Sequence, residues 1–139
     1  MAVNDSVGRG DFIAGKTAST TSSIVPGRFV EYNSNGSFVL PTSTPDEDLI
    51  AGVAATKVAT RTTDSEEDLI VQRSGLAHVA CTANSAFTAG YLVRVASAGE
   101  ASTAALATTI TATALAKCVG KVETIDATTA GTTVVVRLL

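Results

Sequence analysis

The sequence predicts a mostly β protein: a small single-domain β-barrel or β-sandwich with an extended N-terminal arm. Three observations carry this reading. From Ile24 onward, short apolar and β-branched runs alternate with tight-turn residues. One of these turns contains Asn35-Gly36, a pair that readily takes the positive φ angles of a hairpin. The front of the chain, by contrast, is rich in Gly, Ser, Thr and Ala and shows no sustained apolar period.

Taken in order, residues 1–23 form the predicted arm and residues 24–139 the β-domain. Within the arm Phe12 and Ile13 are apolar residues in a polar segment. They predict an arm that docks on its own domain or on a neighbour, and they are the candidate interaction residues. Residues 28–32 and 37–40 read as paired strands around Asn33-Ser34-Asn35-Gly36. Pro41 ends the second strand because it cannot donate to a sheet ladder. Further strands are expected in 50–59, 69–72, 76–81 and 91–95. Two Asp-Leu-Ile triplets, at 48–50 and 68–70, are spaced as an internal duplication would place them. Residues 103–117 mix helix-favouring alanines with β-branched threonines and read as a surface loop with a short helical turn. Two strands, 118–125 and 132–139, close the chain. Val134-Val135-Val136 marks the last as central in its sheet. About eight short strands joined by tight turns point to a barrel or sandwich.

The totals narrow the function. At 139 residues the chain is the size of one ordinary domain. Hydrophobic residues make up 45% and aromatics 4%, so the core is built mainly from Val, Ile, Leu and Ala. Such a core predicts modest stability for a lone subunit, raised by association. The net charge is −3 with scattered Lys and Arg, which disfavours nucleic-acid binding, where basic residues must neutralise phosphates. No run of about 18 apolar residues is present, so no membrane helix is expected. Residues 1–10 lack the basic and apolar regions of a signal peptide, and Cys81 and Cys118 have no CxxC spacing. Both features predict assembly in a reducing cytoplasm.

No motif carries catalytic chemistry, and the chain is expected not to be an enzyme. His78 is the single histidine, and Cys81 follows three residues later. On a strand these positions face opposite sides, so a Cys–His nucleophile pair is disfavoured. One His and two distant Cys do not make a zinc site. Asp64, Glu66 and Asp68 alternate, but the glycine and closing Glu of a calcium loop are missing. Arg9-Gly10-Asp11 is a short tripeptide with no other extracellular feature beside it. Lys117 and Lys121 are conceivable attachment points of a carrier domain, yet neither lies in a predicted hairpin turn. No catalytic, cofactor-binding or metal-binding residue is assigned.

Three stretches point further. Leu49-Ile50-Ala51-Gly52-Val53-Ala54 resembles an "I-x-G-V-A" strand. Phe87-Thr88-Ala89-Gly90-Tyr91-Leu92-Val93 followed by Ala98-Gly99-Glu100-Ala101 resembles a "T-A-G-x-x-V … G-x-A" segment. Cys118-Val119-Gly120-Lys121-Val122-Glu123 with Ala127-Thr128-Thr129-Ala130-Gly131-Thr132-Thr133-Val134-Val135-Val136-Arg137-Leu138-Leu139 resembles a closing "G-x-A-x-E … A-G-x-x-V-x-V-x-L" pair. In this order and spacing they resemble the phage capsid decoration (cement) proteins, small mostly-β proteins that stabilise the head. The long Ser/Thr-rich front and residues 60–65 depart from that pattern. The resemblance implies a structural virion protein on the outer surface of the expanded phage capsid, clamping adjacent major capsid protein subunits. It also implies a homotrimer, and no cofactor, nucleic acid or membrane partner. The rival readings are a head-fibre base or head–tail adaptor and, from another class, a small carrier or enzyme domain.

Overall fold

A computed structural model describes residues 10–18, 23–42, 49–58, 68–81, 87, 89–104, 118–125 and 133–138. Its ten strands are β1 (Phe12–Lys16), β2 (Phe29–Tyr32), β3 (Phe38–Val39), β4 (Ile50–Ala54), β5 (Asp68–Gln72), β6 (Gly75–Ala80), β7 (Leu92–Val95), β8 (Ala101–Ala104), β9 (Gly120–Ile125) and β10 (Thr133–Leu138). They build two five-stranded antiparallel sheets, β1-β5-β4-β2-β3 and β6-β10-β9-β7-β8. Neither sheet closes into a barrel, so of the two expected architectures the sandwich-like one holds. Each sheet nevertheless curls until its two edge strands touch at a single parallel bridge, Thr17 to Phe38 in the first and Cys81 to Ala101 in the second.

Most predicted strands are present with shifted ends. The Asn-Gly hairpin forms because Asn33 organises it. Its Oδ1 accepts the backbone N–H groups of Asn35 and Ser37, each at 2.9 Å. Gly36 supplies the positive φ of 77°. The Val134-Val135-Val136 run does lie in a sheet centre, between β6 and β9. Two strands were not foreseen. Phe12–Lys16, inside the expected arm, is an edge strand registered along β5 from Phe12–Gln72 to Lys16–Asp68. Ala101–Ala104 pairs with β7. Of the surface loop with a helical turn expected over residues 103–117, Thr103 and Ala104 instead end β8 and the rest lies outside the described residues, as do residues 60–65.

The second sheet repeats the first. Adding five to each strand number of the first order reproduces the second. The pairing registers match as well. Val30 opposes Gly52, and Val93 opposes Gly120. Tyr32 opposes Phe38, and Val95 opposes Ala101. Ile13 opposes Val71, and Ala77 opposes Val136. Turn hydrogen bonds recur too: Asn33 N–H to Ser37 O at 2.9 Å and Ala96 N–H to Glu100 O at 2.8 Å. Gly27 and Gly90 take φ of 88° and 90°, and Gly36 and Gly99 take 77° and 74°. The described residues therefore form an internal structural repeat, but the Asp-Leu-Ile triplets do not mark it. Leu49-Ile50 and Asp68-Leu69-Ile70 lie on or beside neighbouring strands of one sheet.

Two apolar clusters hold the fold. The first is the interior of the first sheet, with Ile24, Val30, Phe38, Ala54, Leu69 and Val71. The second fills the other sheet with Val79, Val93, Val122, Val134 and Val136, and takes in Phe29 and Val53 from the first sheet. Phe29 and Val53 oppose each other on β2 and β4, with their side chains pointing away from their own sheet's interior. Burying them against the second half joins the two sheets. The seam also carries Arg28, whose Nη1 donates to Glu100 Oε1 at 2.9 Å and to Ala98 O at 3.3 Å. Both ionic side chains of this pair are only 26% exposed. Arg28→Ala is expected to cost about 1.5–3 kcal/mol, the range for a hydrogen bond to a charged group. Lys16→Ala, whose bridge to Asp68 lies in solvent, is expected to cost below about 1 kcal/mol. Urea midpoints of the two variants would check this order.

Candidate interaction surface

The two candidate residues of the arm lie side by side on β1 and therefore face opposite ways. Ile13 turns inward, partly buried against the first cluster. Phe12 turns outward and is 49% exposed. It does not stand alone. Ala14, two residues on, opposes Ile70 of β5, and Ile70 is 41% exposed. Phe12, Ala14 and Ile70 thus form a small apolar strip on the outer face of β1 and β5, at one edge of the first sheet. The Lys16–Asp68 ion pair, at 2.8 Å, bounds one end. Sequence reasoning found Phe12 but not Ile70, because the two come together only through the long-range β1–β5 register.

The chemical candidates separate. On β6 His78 is exposed while Cys81, just beyond the strand, is buried, so they face opposite sides as the strand period requires. Cys118 is partly buried, and neither cysteine is in a disulfide. No group of three or more His, Cys, Asp or Glu among the described residues could hold a metal ion. Asp68 pairs with Lys16, while Asp64 and Glu66 lie outside the described residues. Lys121 is exposed in the body of β9, and Lys117 lies outside the described residues. A cleft of about 300 Å³ opens between the sheets, walled by Phe29, Ile50, Val119 and Leu138, with Arg73 and Cys118 as its ionisable lining. Its described lining holds no carboxylate and no imidazole, so it presents no acid–base pair. What the surface offers is apolar contact area on a strand edge.

No curated protein sequence matches the chain. Among the solved structures that share its fold are two phage proteins. The N base of head fiber gp8.5 in bacteriophage phi29 is 13% identical with a TM-score of 0.55, over 93% of this chain and 95% of that one. A chain of the capsid of Myoviridae phage XM1 is 16% identical with a TM-score of 0.58, over 94% of this chain and 88% of that one. The family model of the XM1 gp53 minor capsid protein matches residues 2–137. With nearly the whole sequence inside that match, the chain belongs to the XM1 gp53 minor capsid protein family, structural proteins of the phage head.

Proposed function

We propose that the protein binds the outer surface of the expanded phage capsid and stabilises it by clamping adjacent major capsid protein subunits. The observation that carries this reading is the minor capsid family match over residues 2–137. The fold supports it. Two rigid sheets with an apolar strip on an edge strand suit association with protein surfaces, and the described clefts hold no catalytic pair. The protein acts as a non-enzymatic component of the virion, assembled in the host cytoplasm. It works as a cyclic homotrimer, because a ring converts each further shell contact into an intramolecular one and raises avidity by about 10²–10⁴. The interaction element lies in the front segment, residues 1–23, around Phe12 and Ile13. Removing that segment would strip β1 from its sheet, so point substitutions are the better probe.

Co-sedimentation with phage heads that lack the protein tests this. Saturable binding to expanded heads, none to unexpanded heads, and greater heat resistance of the decorated heads are expected. Absence of binding to both forms would sink the proposal. The fold likeness to a phi29 head-fiber base favours a second reading, in which the chain is the base of a head fibre. Cryo-electron microscopy of virions separates the two, since a decoration protein lies flat on the shell and a fibre base continues outward into a fibre.

A further inference from the structure

The contact between the two halves of the chain is one-sided. The first half contributes the segment before β2 and the end of the β2–β3 hairpin. Gly27 O accepts the Ala80 N–H at 2.9 Å, and Pro41 O accepts the Ala98 N–H at 3.2 Å. The second half contributes β6 and the turn Ser97–Gly99. A Cβ added at Gly27 would lie 3.1 Å from His78 O, and one added at Gly99 would lie 2.3 Å from Phe29 O. Under the repeat, Gly27, Arg28 and Phe29 correspond to Gly90, Tyr91 and Leu92. His78, Ala80 and Gly99 correspond to Ala14, Lys16 and Gly36. These counterparts do not meet within the chain. A Cβ at Gly90 or at Gly36 would find nothing within 4 Å. When two like units touch through different surfaces, one copy of each surface is left over at opposite ends, and such contacts propagate into rings where the rotation closes and into filaments where it does not.

We propose that a second copy of this chain occupies the leftover surfaces, with Gly90-Tyr91-Leu92 of one copy packed on β1 and the Asn33–Ser37 turn of the next. This rests on the self-association part of the proposed function and gives it a surface. The exposed strip is its best support. Phe12 and Ile70 are 49% and 41% exposed, whereas their counterpart Val135, in the position of Ile70, is 8% exposed and Leu76, in the position of Phe12, is half-buried. On the opposite surface Tyr91 and Leu92 are half-buried, and tyrosine is a residue type enriched among interface anchors. The Arg28–Glu100 ion pair has no equivalent there, because Tyr91 and Ser37 stand at those positions. Association between copies is thus mainly apolar, weaker than the internal seam and little affected by salt.

Light scattering of the full chain and of two variants tests the assignment. Phe12→Ser and Leu92→Ser should each lower the mass from that of a ring to that of a monomer, with the circular dichroism spectrum of the fold retained. Mixing the two variants should restore pairs but not rings, since each retains the surface the other has lost. A two-fold symmetric interface would give no such complementation. Disulfide trapping gives an independent reading. Ala14→Cys combined with Ala89→Cys in one chain should yield a covalent ladder on oxidation, and each alone should not. An oligomer whose mass neither variant changes would overturn the surface assignment while leaving self-association intact. A monomeric wild type that still binds heads would overturn self-association and leave the capsid reading standing. Rings that bind no heads would do the reverse.

Discussion

Phe29→Ala is expected to destabilise the protein by about 3–5 kcal/mol, the cost of emptying a buried aromatic site. Phe29 is fully buried, but not in its own sheet. Its ring reaches the second cluster, and the Gly99 backbone lies directly against its main chain. The loss therefore falls on the seam and not on either half alone. Guanidinium unfolding should show a lower midpoint and the appearance of two transitions where the native chain shows one. Leu92, at the matching place in the second half, is only partly buried, and Leu92→Ala should cost markedly less. Equal costs for the two substitutions, or a loss below about 1 kcal/mol for Phe29→Ala, would remove the seam from this account.

The repeat predicts a second large effect, this time a rescue. In the first half Gly15 sits against Phe38, and a Cβ at Gly15 would come within 2.6 Å of the ring. In the second half the matching positions hold Val79 and Ala101, both buried in one cluster. The large and small residues have changed places. Gly15→Val alone should cost about 1–3 kcal/mol through overpacking, and Phe38→Ala alone about 3–5 kcal/mol through a cavity. The double variant installs the pair that the second half already uses. Its cost should fall short of the sum by about 0.5–3 kcal/mol, the coupling expected of residues in contact. Denaturant midpoints of the four proteins close the cycle, and strict additivity would refute the exchange.

Local signals told part of this fold. The 29–39 hairpin was legible because an Asn-Gly turn and its side-chain hydrogen bonds lie within a few residues. The place of β10 was legible because three consecutive valines suit a strand covered on both sides. β1 was hidden by Gly15, an unfavourable strand residue whose reason is a phenylalanine ring from the far edge of the sheet. β8 was hidden because Ala101 must be small where the second sheet's edges meet at Cys81, which leaves Thr103 as the strand's one β-branched residue between alanines and a serine. The register of the repeat was hidden because matched pairs such as Phe38 and Ala101 are chemically unlike, while Leu49-Ile50 and Asp68-Leu69-Ile70 lie on or beside neighbouring strands of one sheet. For the interaction surface, composition picked out Phe12 and Ile13, but strand alternation turned only Phe12 outward. Ile70 and Tyr91 could not be nominated without the register and the repeat.

The seam also sets an order of events during synthesis. β5 completes the first sheet at Gln72, so that sheet can form while the rest of the chain is still being made. Its outward Phe29 and Val53, however, find their cover only when β6 to β10 exist. At roughly 5–20 residues per second the nascent protein shows this greasy face for several seconds. That interval, more than the finished fold, is when a chaperone has a reason to hold it. It also makes the end of the chain the element whose loss most exposes the beginning to aggregation.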